Sequence, residues 1–515
     1  YHYVSPDGIA PPDRQWSSVH TTIQSAINGA KNGDVIIVNN GIYAPILIDK
    51  EIKIQSVNGP NNTVIDGGSL ARCVYMSKPA TLEGLKIRNG FLSDNYAKGA
   101  GIYMTAGGSL ITCIIESCQI NRNGWYGSSC TLFGAGVCLE KGGYLRDCIV
   151  QNCSISGAHE RTSVSFYGGG ICSLNGGVFN NCTVRNNTLS AGGDGSSSHT
   201  AYSDLFGGGI YISNGGLFKN CLISGNSIQG QGNGYTSSDA YGAGCYAPGS
   251  KIENSELTYN SINSDSGDAD GDGGGVYGGL LINCTIRYNG VGCRSSYNST
   301  CTVSGGGACS SELYDCVISN NGLSANSSDS SATTNGTGAG GSSLTNCVIT
   351  KNSGTASAHN WARVFGAIEN SQIKNTIVYG NTAGGGGNSG AILIGGVSTS
   401  YVYNSLLFNN SSADYYESYL TNVIMEEPLF QDYPNDNFHL LQNSPCIDTG
   451  DNQYVIGNSD MDGNQRIFDE IVDMGAYEYN SVPMESFNSS FTNTEGDKKL
   501  ILYYIRIKDN DNSST

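Results

Sequence analysis

The feature that most constrains this chain is an internal repeat. Four segments align without gaps: GAGIYMTAGGSLITCIIESC (99–118), GAGVCLEKGGYLRDCIVQNC (134–153), GGGICSLNGGVFNNCTVRNN (168–187) and GGGIYISNGGLFKNCLISGN (207–226). Weaker copies of the same pattern begin at Gly242, Gly273, Gly305, Gly338, Gly366 and Gly390. The distance between copies varies, almost entirely within one linker that precedes each glycine triplet. A uniform core with insertions at one corner is typical of a solenoid.

Three columns of the repeat predict the shape of each coil. The first column is mainly cysteine, at Cys113, Cys148, Cys182, Cys221, Cys284, Cys316 and Cys347, and the second, two residues on, is aliphatic from Ile115 to Leu407. Side chains two residues apart lie on the same face of a strand, so these columns predict a buried strand. The third column is asparagine from Asn187 to Asn410. We expect these residues in a turn, with their amides bonded from coil to coil, and Asn89 to begin the same ladder one coil earlier.

This pattern predicts an all-β fold, a single-stranded right-handed parallel β-helix with an N-terminal helical cap and a C-terminal cap plus β tail. The predicted domains are an N-terminal segment and capping helix (1–34), the parallel β-helix (35–430), a C-terminal cap (431–480) and a strand-forming tail (481–515). Apolar residues at helical spacing in SVHTTIQSAINGAKNGD (18–34) predict the capping helix. VIIV (35–38), ILI (46–48) and IKI (52–54) predict the first strands.

Composition argues against several classes of protein. The formal net charge is −18, which argues against nucleic-acid partners because phosphate contacts need Lys and Arg. The 72 glycines lack the Gly-X-Y period of collagen, and no apolar run is long enough to predict a transmembrane segment. The sequence opens on Tyr1 without a signal peptide. We therefore expect a mature secreted protein of the cell surface or of an extracellular fibre.

Two parts of the chain resemble known families. The repeat, over roughly residues 30–430, resembles right-handed parallel β-helix families, especially the GGAI-like and FxxN-like repeats of bacterial polymorphic outer-membrane proteins. SPCIDTGDNQYVIGNSDMDGNQRIFDEIVDMGAYEY (444–479) resembles the choice-of-anchor Q domain of secreted bacterial β-helix proteins. The matching residues are Ser444, Pro445, Cys446, Asp448, Gly450, Asp462, Gly463, Arg466, Asp473, Gly475, Ala476, Tyr477 and Glu478. TIQSAINGAKNGDVIIVNNGIY (22–43) is similar to the opening of many secreted β-helix proteins, including pectin-degrading enzymes.

The acidic residues of the C-terminal cap predict a calcium site. They are Asp460, Asp462, Asp469 and Asp473, and DMDGNQR (460–466) has the alternating oxygen ligands and glycine turn that calcium needs. A hydrogen-bonded cap without metal is the alternative. Asp268, Asp270 and Asp272 form a second candidate, with a solvated loop as its alternative. No cofactor is required by this interpretation.

The sequence predicts no catalytic residues. The histidines are scattered and predict no Ser/His/Asp arrangement; they are His2, His20, His159, His199, His359 and His439. A polysaccharide lyase or hydrolase acting on acidic polysaccharide is the alternative function, and a carbohydrate-binding adhesin is the third. Aromatic residues precede several glycine-rich strands, at Phe133, Tyr167, Phe206, Tyr241 and Phe365. They predict a stacked ladder or, with Trp125 or Trp361, a sugar-binding surface.

Cysteines and sequons predict covalent modifications suited to an exported protein. Cys293 and Cys301 share one linker and are expected to form a disulfide. Neighbouring coils are ~4.8 Å apart, inside the disulfide range, so the pairs Cys118–Cys153 and Cys138–Cys172 are further candidates. The glycosylation candidates are Asn298, Asn326, Asn335 and Asn488.

The tail contains one strand-like segment, residues 499–508, with Leu500, Ile501, Leu502, Tyr503, Tyr504 and Ile505 as its assembly residues. Such a strand folds back on its own cap or is donated to a neighbouring subunit. The sequence thus predicts a non-catalytic extracellular structural or surface protein. We expect it to form a homo-oligomer or filament through this tail, with a polysaccharide as the other candidate partner.

Overall fold

The repeat forms a parallel β-solenoid of about 12 turns, of the right-handed type, and the all-β fold prediction is confirmed. The computed structural model describes residues 1–12, 15–123, 129–160, 162–194, 201–233, 236–266, 268–295, 299–328 and 330–481. Across these residues, no helix is long and apolar enough to cross a lipid bilayer.

Each full coil passes through four parallel sheets, here named A to D, in the order A, C, D and B. Sheet A has 28 strands and receives two short strands from most coils. Its strands are His2–Val4, Ser18–His20, Val35–Val38, Gly41–Tyr43, Lys53–Ser56, Thr63–Asp66, Thr81–Glu83, Lys86–Arg88, Ser109–Ile111, Ile114–Glu116, Tyr144–Arg146, Ile149–Gln151, Val178–Asn180, Thr183–Arg185, Leu217–Lys219, Leu222–Ser224, Lys251–Glu253, Glu256–Thr258, Leu280–Ile282, Thr285–Arg287, Glu312–Tyr314, Val317–Ser319, Ser343–Thr345, Val348–Thr350, Gln372–Lys374, Ile377–Tyr379, Tyr401–Phe408 and Tyr419–Ile424.

The other three sheets receive one strand per coil. Sheet B contains Ile46–Ile48, Val74–Met76, Ile102–Met104, Val137–Leu139, Ile171–Ser173, Ile210–Ile212, Cys245–Tyr246, Val276–Tyr277, Ala308–Cys309, Ala339–Gly340, Ile368–Glu369, Val397–Ser398 and Tyr415–Tyr416. Sheet C contains Phe91–Leu92, Gln119–Asn123, Ser154–Glu160, Thr188–Asp194, Ser227–Asn233, Ser261–Ser266, Gly290–Ser295, Gly322–Ser327, Ser353–Ala358 and Thr382–Gly387. Sheet D contains Tyr96–Lys98, Cys130–Phe133, Ser163–Tyr167, Ala201–Phe206, Thr236–Tyr241, Asp268–Asp272, Cys301–Ser304, Ala332–Asn335, Trp361–Phe365 and Gly390–Ile394.

Sheets C and D contain most of the variable linkers, which the sequence analysis had not assigned to strands. They pack face to face as a two-layer extension of the solenoid, here called the lateral sandwich. Small side chains face its interior, for example Ser264 in sheet C and Ala269 in sheet D. At Gly271 a Cβ atom would lie 2.6 Å from a methyl carbon of Val291, so the two layers approach too closely for a larger residue there. Linker length therefore sets how far the sandwich extends.

The predicted asparagine ladder is confirmed. From Asn187 to Asn410 each side-chain Nδ2 donates to the Oδ1 of the next asparagine at 2.8–3.1 Å, and these residues are buried. The residue that precedes each ladder asparagine, such as Asn186 and Asn320, has the left-handed backbone of the turn. Asn89 is one of these left-handed residues, with φ 55°, and donates to Asp66, so its assignment to the ladder was wrong.

The N-terminal end is closed by two strands and a short helix. The strand His2–Val4 pairs with Ser18–His20 on one side and with Val35–Val38 on the other. The capping helix runs over Ile23–Gly29, shorter than the predicted helical pattern, because Ser18–His20 is extended. Thr22 caps this helix through a hydrogen bond from the Ser25 amide, and Ile23, Ala26 and Ile27 are buried against the solenoid.

The segment after the last coil does not cover the end of the solenoid, as a cap would. It begins with the antiparallel pair Phe430–Asp432 and Asn437–Leu440, and contains the 3₁₀ turns Tyr433–Asn435 and Asn452–Tyr454. It then lies along the outer face of sheet A, where its apolar side chains bury Val317, Val348, Ile377 and Leu406. These four residues come from successive coils, so the C-terminal segment (430–480) fastens four coils together.

Candidate functional site

The C-terminal segment is held to sheet A by a buried arginine. The Nε of Arg466 donates to Asp315 at 2.8 Å, and its Nη1 donates to Glu478 at 2.6 Å. Asp315 lies in the left-handed turn between two strands of sheet A, where most coils have asparagine. All three side chains are almost fully buried. The sequence signal of this contact is an acidic residue at a position where most coils have asparagine, and Asp147 shares that signal without contacting Arg466 through a hydrogen bond or ion pair among those seen in the structure.

The four predicted calcium ligands do not converge on one point. Asp460 accepts three backbone N–H groups, from Asp462, Asn464 and Glu478. Asp473 accepts the amides of Asp448 and Tyr479. Asp462 instead pairs with His439 at 2.6 Å, and Asp469 is exposed at a turn.

This arrangement does not fit a calcium ion. The oxygens of Asp460 and Asp473 already accept hydrogen bonds from N–H donors, and the positive charge of the Arg466 guanidinium acts on both carboxylates. Within the described ranges, no group of three or more His, Cys, Asp or Glu side chains is placed to hold a metal ion. Burial raises the pKa of Asp473 to about 6 and that of Glu478 to about 8. These groups form a hydrogen-bonded junction between the segment and the solenoid.

The second acidic candidate lies in the lateral sandwich. Asp268, Asp270 and Asp272 belong to one strand of sheet D rather than to a loop. Asp239 is the register partner of Asp270, and Asp204 is the register partner of Asp239, so three carboxylates stack along the outer face. Burial and the neighbouring carboxylates raise the pKa of Asp270, and burial raises that of Asp272 to about 6.

The structure contains the Cys293–Cys301 disulfide, which joins sheet C to sheet D within one coil. Cys118, Cys153, Cys138 and Cys172 carry free, buried thiols, so the two proposed bridges between coils are not formed. Cys138 and Cys172 are in register on adjacent parallel strands. Their side chains therefore extend in the same direction, whereas a disulfide needs two that turn toward each other.

The aromatic residues at the corner between sheets D and B form the predicted stacked ladder. Ring planes lie within 11° of parallel from Phe133 through Tyr167 and Phe206 to Tyr241. A second stack, Tyr211, Tyr246 and Tyr277, meets the first edge to face. Since sugar rings bind to aromatic faces, a ladder whose faces cover one another offers little surface for carbohydrate. Phe365 lies apart from it, beside Tyr416, and Trp125 lies outside the described residues.

Two of the four glycosylation candidates are described. Asn326 lies in a strand of sheet C and Asn335 in a strand of sheet D, each with a half-buried side chain on an outer face. The linkers that contain Asn326 and Asn335 form strands of the lateral sandwich rather than loops. Asn298 and Asn488 lie outside the described residues, as do the assembly residues Leu500, Ile501, Leu502, Tyr503, Tyr504 and Ile505.

A polar cluster that the sequence analysis missed lies beside the capping helix. The Oγ of Ser18 is 2.7 Å from Nδ1 of His2 and 2.5 Å from Nε2 of His20. The other ring nitrogen of His2 is 3.2 Å from the carboxylate of Asp34. These residues come together through the pairing of His2–Val4 with Ser18–His20, two strands that were not predicted. The expectation of no Ser/His/Asp arrangement was therefore wrong at this position.

The end of the solenoid opposite the capping helix, here called the open end, consists of the last strand of each sheet. These strands are Thr382–Gly387, Gly390–Ile394, Tyr415–Tyr416 and Tyr419–Ile424. Each pairs with the preceding coil, and no strand in the described part of the chain pairs with its other edge. Tyr415 and Tyr419 are 46% and 70% exposed there. Unpaired edges with exposed aromatic side chains are suited to adding another strand.

The chain was compared with known proteins. No model of a known family matches it, and no curated protein sequence matches it, so the resemblance to the choice-of-anchor Q domain stays a prediction. Among solved structures it is similar to pectin methylesterase PemA from Erwinia chrysanthemi, at 14% identity over 49% of this chain and 78% of that one, with a TM-score of 0.25. It is also similar to pectate lyase Pel9A, at 14% identity over 93% and 96% of the two chains, with a TM-score of 0.30. A third, the A-module of the Azotobacter vinelandii mannuronan C-5 epimerase AlgE6, is 10% identical over 79% and 94%, with a TM-score of 0.22. At these values the likenesses carry no argument about the activity of this chain.

Proposed function

We propose that this protein is a non-catalytic structural protein of the cell surface or extracellular space, and that its solenoid joins further copies through the open end. The observation that carries the proposal is the row of four terminal strands, each with one edge that no strand among residues 1–481 as described pairs with. An uncovered edge of this kind pairs readily with an added strand. At the N-terminal end the helix Ile23–Gly29 packs on the first strands, so we place the assembly at the opposite end.

The charge of the strand-like segment within the tail, rather than that of the whole tail, supports this segment as the added strand. Residues 498–508 contain four basic residues, Lys498, Lys499, Arg506 and Lys508, and no acidic one, in a chain of net charge −18. The last coils and the residues that follow them contain Asp414, Glu417, Glu426 and Glu427. Opposite charge at the two surfaces favours encounter and suppresses pairing of the open end with itself. In this proposal the tail of one copy adds to the open end of the next and forms a filament.

The test measures assembly by light scattering and negative-stain electron microscopy. We expect concentration-dependent oligomers or filaments from the full chain and monomers after removal of residues 482–515. Ile392→Lys places a charge on the edge strand Gly390–Ile394 and should have the same effect as the truncation. The matched control is Thr333→Lys, which occupies the same outer column two coils away from the edge and should assemble normally.

Two results would contradict the proposal. Filaments that persist without residues 482–515 would remove the tail from the assembly. An acidic polysaccharide that is cleaved by the full chain, detected by the ultraviolet absorbance of an unsaturated product, would replace the structural role by the lyase alternative.

A further inference from the structure

The hydrogen bonds among His2, Ser18, His20 and Asp34 define where each proton lies. The pKa of Asp34 is lowered by the backbone N–H of Lys31 and then by His2, so its carboxylate only accepts hydrogen bonds. The Nε2 of His2 must then carry a hydrogen, which leaves its Nδ1 as an acceptor for the Ser18 hydroxyl. The Oγ of Ser18 can in turn accept the Nε2–H of His20. With both rings neutral, this arrangement satisfies all four groups.

The neutral state of the His20 ring is favoured by its surroundings. Burial, followed by the charge of His2, lowers the pKa of His20. The ring centroids of the two histidines are 5.6 Å apart, so two imidazolium ions there would repel each other. The hydroxyl of Ser18 is thus directed at a basic nitrogen whose ring is oriented by a carboxylate. This is the arrangement that activates a serine nucleophile. Here Nδ1 of His2 contacts the serine and Nε2 contacts the carboxylate, whereas in the usual triad Nε2 contacts the serine and Nδ1 the carboxylate.

We propose that Ser18 is an activated nucleophile that accepts an acyl group from a carboxylic ester. In the reaction a bond forms between Oγ and the carbonyl carbon, and the bond from that carbon to the alcohol oxygen breaks. The Ser18 proton passes to Nδ1 of His2 and then to the departing alcohol. Asp34 keeps its negative charge and stabilises the imidazolium that forms in between. The product is an acyl ester on Ser18, a covalent modification rather than a turnover, and it is independent of assembly at the open end.

The position of Ser18 allows an ester to approach. The strand Ser18–His20 lies at an edge of sheet A, paired with His2–Val4 alone among the described residues. Ser18 and His20 are half-buried, while His2 is buried behind them. The nucleophile therefore lies on a strand at the N-terminal end of the solenoid, and its general base is buried.

The test uses the full chain with p-nitrophenyl acetate and, separately, with a fluorophosphonate. We expect about one equivalent of p-nitrophenolate and a single adduct, which peptide mass spectrometry places on Ser18. Ser18→Ala should abolish the adduct, while Ser17→Ala, the adjacent control, should leave it unchanged. His2→Gln should slow labelling about 100-fold or more, because the general base is lost. Asp34→Asn acts on the orientation of His2 and should slow labelling as well.

Three results would overturn the proposal that Ser18 is an activated nucleophile. An absence of Ser18 adduct in the native chain overturns the proposal, as does Ser18 labelling that persists unchanged in His2→Gln. If His2→Gln lowers the melting temperature of the protein, the labelling rate of Asp34→Asn is compared with that of the native chain instead. Asp34 is more exposed than His2, so its substitution should disturb the fold less. Unchanged labelling in that variant also overturns it.

Discussion

At the scale of single residues, asparagine has two different roles in this chain. One asparagine of each Asn-Asn or related pair adopts a left-handed backbone, as Asn186 does, and the next one, Asn187, joins the buried ladder. The column of asparagines predicted the ladder because only a stacked repeat explains a polar residue at the same place in each coil. It did not predict which member of a pair bends the backbone, since asparagine tolerates both conformations.

The ladder predicts a large cost for removing one amide from its middle. The Oδ1 of Asn260 accepts both the backbone N–H and the Nδ2 of Asn226. In Asn260→Ala the buried backbone N–H of Asn226 loses its acceptor, and the side-chain amide of Asn226 keeps only its bond to the Val184 carbonyl. We therefore expect the free energy of unfolding to fall by about 1–3 kcal/mol. Urea titration followed by circular dichroism measures this. The control Asn263→Ala, an exposed position in the same coil, should change stability by less than about 0.5 kcal/mol. Equal effects of the two variants would contradict the role of the ladder.

At the scale of elements, the strands that repeat with constant spacing were predictable and the others were not. Sheet A follows from the alternation of buried residues around Cys148 and Val150. Sheets C and D were missed because their glycine- and serine-rich strands vary in length and bury small side chains between two layers. The course of the C-terminal segment was missed for another reason. It depends on contacts such as that of Arg466 with Asp315, 151 residues apart, which no local pattern encodes.

The junction around Arg466 predicts that the C-terminal segment loosens as pH rises. Burial raises the pKa of Glu478 from 4.5 to about 8 and that of Asp315 and Asp473 from 3.8 to about 6. Burial also raises the pKa of Asp460. Raised carboxyl pKa values favour the folded state when these groups are protonated. Their stabilisation is complete below about pH 4 and is lost as pH rises through 6 to 8.

Hydrogen exchange measured between pH 5 and pH 9, corrected for intrinsic rates, checks this prediction. Protection of residues 458–479 should decrease with pH, by up to about 1.4 kcal/mol per pH unit for each proton released. Protection of the strand Ile149–Gln151, which belongs to the solenoid and lies away from the segment, should stay constant. Protection of residues 458–479 that rises with pH would show that Arg466 outweighs the burial of the carboxyls.

At the scale of the whole molecule, the solenoid is a one-dimensional stack with one long-range fastening. Each coil contacts the coils next to it, so stability in such a fold is built from neighbouring pairs. The C-terminal segment is the exception, because its apolar side chains cover four successive coils on the outer face of sheet A, and Asp436 also accepts a hydrogen bond from Tyr288 of the coil before them. The outer column beneath it consists of Val317, Val348, Ile377 and Leu406. The same column continues as Ile114, Ile149 and Leu222 in earlier coils, where these side chains are half-buried.

This continuity provides a matched pair of substitutions in one column. Ile377 is fully buried beneath the C-terminal segment, whereas Ile149 is half-buried on the same face. Ile377→Ala should lower the free energy of unfolding by about 2–4 kcal/mol, through lost burial and the cavity that remains. Ile149→Ala should cost about 1 kcal/mol or less. Hydrogen exchange should show residues 430–479 losing protection in the first variant and not in the second. If only the strand Ile377–Tyr379 loses protection, the segment contacts the solenoid without holding its coils together. If both variants lose the same stability, the segment does not stabilise the residues that it covers.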